Sequence, residues 1–213
     1  MKKLIVFDLD GTLVNTIYDI ASSMNKSLEE HGFPTHPTMD YINFIGEGVI
    51  ALGKKAIGKE LSDSTLNSVI ERYKEIYKAN LTNLSKPYPD MSRVLDGLLN
   101  KGYKLAVISN KPHEDTLEII NHYFPNKFTY ITGAKDNVLR KPDPMAMNIL
   151  LEELNLKIED VSYVGDSKYD AMFSINCGCD YYLFTYGYTQ KDVLNKYSPI
   201  AFLDTPNDLL KYF

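Results

Sequence analysis

The sequence predicts an α/β fold, a parallel sheet covered by helices and interrupted after its first strand by an all-helical block. Three observations carry that prediction. Leu4 to Phe7 is a short apolar run of the kind buried on both faces of a parallel sheet, and it ends abruptly in Asp8-Leu9-Asp10-Gly11. Nothing between residues 16 and 82 reads as a strand. From residue 86 onward strands alternate with helices, the pattern of a parallel sheet wrapped on both sides. The core is therefore expected to be discontinuous, residues 1–14 and 86–213, with residues 15–85 as a helical insertion.

After the first strand, Ile17, Ile20, Ala21, Met24 and Leu28 recur at three- and four-residue spacing and mark one apolar helix face. Thr16 is the expected N-cap and Gly32 the expected stop. Pro34 and Pro37 punctuate a turn, and helical segments are expected over residues 39–44, 49–57 and 62–81. Pro87 and Pro89 forbid a helix where they stand. Beyond them the expected order is helix 90–100, strand 104–109, helix 114–123, strand 128–132 and a helix to Leu154. Asp143 is the expected cap of that helix and Pro144 lies in its first turn. Strand 161–164, helix 168–176, strand 181–184, a strand near 201–203 and a helix over 207–212 complete the chain.

The composition is that of an ordinary globular protein, 44% hydrophobic and 24% charged over 213 residues. A net charge of −5 argues against a general nucleic-acid binder, which would be basic. Cys177 and Cys179, one glycine apart with no second pair, build neither a zinc ribbon nor a disulfide framework. They are expected to pack at a helix end, in a reducing setting. His31, His36, His113 and His122 fall into no metal-ligand spacing. Asp8 interrupts the first apolar run too early for a signal-peptide core of roughly 7–15 residues. No stretch approaches the roughly 20 apolar residues of a membrane span. A soluble, cytoplasmic protein without a membrane partner is the expectation. Oligomeric state is not legible in the sequence, and a monomer is compatible with it.

Chemistry-bearing residues gather where strands end, which is where open α/β sheets bind ligands. Asp8 and Asp10 repel each other, and core packing asks for neither. A hard cation such as Mg²⁺ would remove that cost, and an Asp beside a metal and a phosphate can act as a nucleophile. An isolated Asp-x-Asp-Gly is more often an acidic turn. An EF-hand loop is excluded, because Gly11 is fourth rather than sixth and a strand, not a helix, precedes it. Ser109-Asn110-Lys111 closes the second core strand, and a hydroxyl followed by backbone N–H groups can hold a phosphate oxygen. Pro142 biases Lys141 toward an extended backbone, so its ammonium starts from a fixed place. Asp166 and Asp170 are four apart and would share one helix face, with Gly165 allowing close backbone approach. Each signal alone has an ordinary structural reading as a cap, a turn or a solvated loop. Their joint occurrence, in order and at strand ends, does not.

Together, Asp8-Leu9-Asp10-Gly11-Thr12, Ser109, Lys141 and Gly165-Asp166-Ser167-Lys168-Tyr169-Asp170 resemble the four motifs of the haloacid dehalogenase superfamily. The resemblance spans essentially the whole chain and implies a Rossmann-like core with an inserted helical cap that closes over the site. Phe44-Ile45-Gly46-Glu47-Gly48-Val49, Lys54-Lys55-Ala56-Ile57 and Thr185-Tyr186-Gly187-Tyr188 resemble the phosphoglycolate phosphatase group. Asn15 stands where the family often has Asp. Lys55 stands where that group tends to carry Arg, and Lys cannot make Arg's bidentate carboxylate contact.

The resemblance implies an Mg²⁺-dependent phosphatase acting on a small phosphate ester through an aspartyl-phosphate. Asp8 would be the nucleophile, and Asp10 the acid and then the base. Asp8, the Asp10 carbonyl and Asp166 would hold the metal, with Asp170 supporting it. Ser109 and Lys141 would bind the phosphoryl oxygens, joined by the N–H groups of Leu9 and Asn110. Gly46, Gly48 and Lys55 are candidates for touching the non-phosphate end, although a helix-joining turn and an exposed lysine explain them equally well. A β-phosphoglucomutase-type mutase or a pyrophosphatase would keep the same core motifs. Asp10 argues against a dehalogenase, which needs no acid for a leaving alkoxide. The intact nucleophile and lysine argue against a silent binding protein, and the helical insertion argues against a response regulator.

Overall fold

The computed structural model describes residues 2–60 and 62–213. The chain divides into two compact units, Met1–Asn15 with Pro87–Phe213, and Thr16–Lys86. Two-residue strands, β2 (Val14–Asn15) and β3 (Lys86–Pro87), mark the places where the chain leaves and rejoins the first unit.

The first unit is built on a six-stranded sheet. Its strands are β1 (Leu4–Phe7), β4 (Lys104–Pro112), β5 (Tyr130–Ala134), β6 (Val161–Gly165), β7 (Asp180–Phe184) and β8 (Ala201–Leu203). They lie in the order β5-β4-β1-β6-β7-β8, and every neighbouring pair is parallel. β1 is central, pairing Leu4 with Lys104 on one side and with Val161 on the other. All four of its side chains are fully buried, as its unbroken apolar run requires. Such burial stabilises the fold by ~1.5–3 kcal/mol per side chain relative to exposure. Four helices connect the strands, α4 (Met91–Asn100), α5 (His113–Tyr123), α6 (Met145–Leu154) and α7 (Lys168–Cys177), followed by the short α8 (Lys191–Leu194).

The second unit is helical, with α1 (Ile17–Glu30), a 3-10 turn (Thr38–Asn43), α2 (Val49–Ile57) and α3 (Asp63–Lys78). Ile20, Met24, Leu28, Leu52, Val69, Ile70 and Tyr73 are buried in it. Asp19, in the first turn of α1, is buried and accepts hydrogen bonds from Leu84 N at 2.9 Å, Ser85 N at 2.7 Å and Ser85 Oγ at 2.6 Å. No helix among the described residues is long and apolar enough to cross a membrane.

Several boundaries differ from the sequence expectation. Thr16 occupies the cap position of α1 but makes no side-chain cap bond, and the helix ends at Glu30 with His31 rather than Gly32 at its cap. α3 stops at Lys78 because residues 80–83 turn. Residues 38–43 and 206–211 wind as 3-10 helix, which suits such short pieces. Pro144, not Asp143, takes the cap position of α6, while the Asp143 carboxylate accepts from Met145 N at 2.9 Å. β4 runs three residues past Ser109 to Pro112, with a register irregularity between Ile108 and Pro112. That extension shapes the site.

Candidate active site

Asp8 follows β1 directly, and its N–H continues the sheet ladder to Val164 O at 2.9 Å. The next residues curl into a tight turn in which the N–H groups of Thr12, Leu13 and Val14 all point at Leu9 O. Gly11 sits there at φ 83°, a conformation glycine adopts freely, and a Cβ on it would overlap the Asp166 carboxylate. The Asp8 carboxylate accepts from Leu9 N at 2.7 Å and lies 3.0 Å from Lys141 Nζ. Burial pushes its pKa up to about 7, with Asp170 and Asp10 adding to the rise and Lys141 opposing it.

Lys141 is held from both ends. The Asn110 side chain brackets its backbone, accepting from Lys141 N at 2.8 Å and donating to Lys141 O at 3.0 Å. Its ammonium lies 2.7 Å from Asp170 Oδ1, 3.0 Å from Asp8 Oδ1 and 2.8 Å from the Tyr163 hydroxyl. The side chain is 2% exposed. Burial alone would drive such a lysine toward neutrality, but Asp170 and Asp8 outweigh it and raise its pKa. It is a cation clamped between two carboxylates.

Asp166 and Asp170 do not share a helix face. Ser167 caps α7, so Asp166 precedes the helix, and Asp170 is the third helical residue in a capping box with Ser167. Asp170 is saturated. Its Oδ1 meets Lys141 and Tyr163, and its Oδ2 accepts from Asp166 N, Ser167 N and Ser167 Oγ at 3.2, 3.0 and 2.6 Å. Asp166 is wedged between glycines, since a Cβ on Gly11 or Gly187 would overlap it. Thr12 Oγ1 and Tyr188 N donate to it at 2.6 and 2.7 Å. Burial, reinforced by Asp170 and Asp8, nevertheless holds its pKa well above the usual carboxylate range.

Asp8, Asp166 and Asp170 each bring one carboxylate oxygen within 4.8 Å of the others. Hard oxygen donors crowded into a buried space, two of them with raised pKa values, fit a divalent cation such as Mg²⁺. Because Asp170 is already saturated, Asp8 and Asp166 are the better placed pair to hold such an ion.

The Asp10 carboxylate lies outside that group. Lys111 Nζ lies 3.0 and 3.3 Å from its two oxygens. Ser109 is buried on β4, where its hydroxyl accepts from Lys111 N at 3.3 Å. Gly46, Gly48 and Lys55 belong to the second unit. The glycines adopt φ 105° and 92° in the turn before α2, and Lys55 is paired with Glu47 at 2.7 Å.

Sequence reasoning missed Lys111, Tyr163, Thr12 and the loop at Gly187-Tyr188 as site residues. Lys111 was hidden by ending the strand at Ser109, and Tyr163 reads simply as one more core residue of β6. Thr12 and Gly187-Tyr188 stood inside quoted stretches, yet nothing local says that both reach Asp166.

A family model for haloacid dehalogenase-like hydrolases matches residues 5–184. The phosphoglycolate phosphatase of Haemophilus influenzae (strain 86-028NP) is 34% identical over 205 residues, covering 92% of each chain. That of Pasteurella multocida (strain Pm70) is 35% identical over 194 residues, covering 87% of each. Among solved structures, a protein of Haemophilus somnus 129pt described as a predicted phosphoglycolate phosphatase superposes with a TM-score of 0.94. It is 30% identical, over 99% of this chain and 97% of that one. A haloacid dehalogenase-like hydrolase of Streptococcus pneumoniae has a TM-score of 0.88 at 22% identity, over 100% and 98%, and shares the fold.

Proposed function

The chain belongs to the haloacid dehalogenase-like hydrolase family, and on that premise we propose that it is an Mg²⁺-dependent phosphatase. Its substrate is a small phosphate monoester of the phosphoglycolate kind, hydrolysed through an aspartyl-phosphate on Asp8. The relatives' names support the substrate class. The arrangement that carries the chemistry is the buried Lys141 ammonium, 3.0 Å from Asp8 and 2.7 Å from Asp170, beside the carboxylates of Asp8 and Asp166.

An Asp8 oxygen forms a bond to phosphorus while the ester P–O bond breaks, and Asp10 gives its proton to the departing alkoxide. Water then attacks phosphorus and passes a proton to Asp10 as the P–O bond to Asp8 breaks. Phosphate leaves and both aspartates are restored. Lys141 and Ser109 stabilise the transferring phosphoryl oxygens, the largest share of catalysis in such transfers. Asn110 fixes Lys141 through its backbone, and its own N–H joins that of Leu9 near the phosphoryl group. Mg²⁺, held by Asp8, Asp166 and the Asp10 carbonyl with Asp170 behind them, would neutralise charge between nucleophile and phosphate.

Phosphate release from phosphoglycolate, sugar phosphates and pyrophosphate, with and without Mg²⁺, tests this reading. Mg²⁺-dependent release that disappears in Asp8→Asn supports it. Release that persists in Asp8→Asn rules out the aspartyl-phosphate. Conversion of β-glucose 1-phosphate to the 6-phosphate without net release would make the protein a mutase.

A further inference from the structure

Lys111 is assigned no part in the reaction above, yet its position is constructed with care. Its side chain is 4% exposed, and its ammonium spans both oxygens of Asp10. The two residues are 101 positions apart. β4 has to continue past Ser109 to bring Lys111 there. Neighbouring β5 supplies Gly133, on which a Cβ would overlap the Lys111 carbonyl, so the strand closes on Lys111 only because glycine stands opposite. Thr116 Oγ1 donates to Pro112 O at 2.9 Å and lies 3.4 Å from the Lys111 carbonyl, anchoring the start of α5 to the end of β4.

As a stabilising device this is a weak one. Burying a lysine carries a desolvation cost that its ion pair barely offsets, and an apolar residue of similar shape would serve the fold as well. Asp10, in contrast, needs restraint. It stands in the turn after β1 with its side chain 20% exposed, and the Asp8 reaction asks its carboxyl to meet one leaving oxygen.

We propose that Lys111 is the positioning residue of Asp10, fixing the carboxyl that protonates the leaving alkoxide. The inference rests on the reading of Asp10 as the proton donor. When the ester P–O bond breaks and the Asp8–P bond forms, the proton passes from Asp10 to the ester oxygen, and Lys111 keeps the donor in place. The consequence is selective. An alkoxide needs that proton, whereas p-nitrophenolate is a stable anion and leaves without it.

The test compares kcat/KM for phosphoglycolate and p-nitrophenyl phosphate in wild type, Asp10→Asn, Lys111→Met and Lys111→Arg, with melting curves to verify folding. Lys111→Met is expected to lose roughly 10²-fold on phosphoglycolate, the scale of general acid catalysis. The loss on p-nitrophenyl phosphate should be at least tenfold smaller, about the same split as in Asp10→Asn. Lys111→Arg keeps the charge and should recover most of the alkyl activity.

Equal losses on both esters in Lys111→Met, or a loss confined to KM, would overturn the assignment and place Lys111 on the phosphoryl group. Wild-type rates on both esters would overturn it too. In either case a still-selective Asp10→Asn shows that the reading of Asp10 survives. An unselective Asp10→Asn, or a wild type that hydrolyses neither ester, overturns that reading and the inference with it.

Discussion

Replacing Tyr163 by Phe removes one oxygen and keeps the ring that packs under Lys141. That oxygen is fully buried. It accepts from Lys141 Nζ at 2.8 Å, and it can give its single proton to Asp170 Oδ1 at 3.0 Å or to the Ile108 carbonyl at 3.1 Å. Burial holds its pKa well above the usual tyrosine value, so it remains a donor at any working pH. The variant loses one charge-assisted hydrogen bond and one ordinary one, a combined ~3 kcal/mol. For a chain of this size that lowers the melting temperature by about 6–12 °C. Lys141 keeps both carboxylates, so it stays charged but loses one of its three anchors. kcat should fall about tenfold, the equivalent of ~1.4 kcal/mol. Differential scanning fluorimetry and phosphate release measure the two effects. A melting point within about 2 °C of wild type would refute the assigned role of the hydroxyl.

Gly187→Ala forces a methyl into Asp166, and the Mg²⁺ concentration for half-maximal activity should rise at least ~10-fold, read from phosphate release against added Mg²⁺. Asp19→Ala removes the carboxylate that accepts from the buried Ser85 N and Ser85 Oγ and from the part-buried Leu84 N, and should destabilise the helical unit by at least ~2 kcal/mol. Hydrogen exchange at the amides of Leu84 and Ser85 will report it. Burial pushes the Cys177 thiol up to about 12 and the Cys179 thiol up to about 11, against 9.0 for an unperturbed cysteine. At pH 8 the folded protein should therefore alkylate at ~10⁻³ of the fully ionised rate or slower, checked by mass spectrometry after iodoacetamide. Because the unfolded thiols lose their protons first, their contribution to stability is complete below pH 9.0 and is lost as pH rises through the folded values.

What the sequence revealed was local. Leu4–Phe7, Val49–Ile57 and Ala201–Leu203 have the expected bounds because apolar spacing and flanking breakers are contained within a few residues. The acids at strand ends were legible for a related reason, since a pair such as Asp8 and Asp10 is too costly to pass unnoticed. Lys111 had no such mark. Between Asn110 and Pro112 it looks like the first solvated residue of a loop, yet its ammonium is buried against the carboxylate of Asp10, a hundred residues earlier. Asp166 was misread in the opposite way. Its spacing from Asp170 is helical, but Ser167 captures the cap and leaves Asp166 outside α7. The 3-10 turn at Ile158–Asp160 and the four-residue α8 lie below the length at which periodicity can be seen.

The central place of β1 makes the order of synthesis matter. β1 emerges from the ribosome about 100 residues before its partner β4 and more than 150 before β6. At ~5–20 residues per second, it waits for its second neighbour for about 8–30 s. Until β4 is made this apolar strand carries two unpaired edges, and until β6 is made it carries one, and such edges invite association with other nascent chains. The helical segment, whose residues 16–86 are all made before β4, can fold while β1 waits. Asp8 is thus translated long before its surroundings are completed. Slowing translation between residues 16 and 160 should lengthen the exposure of β1, and the cost would appear as aggregation during expression rather than as a change in the finished enzyme.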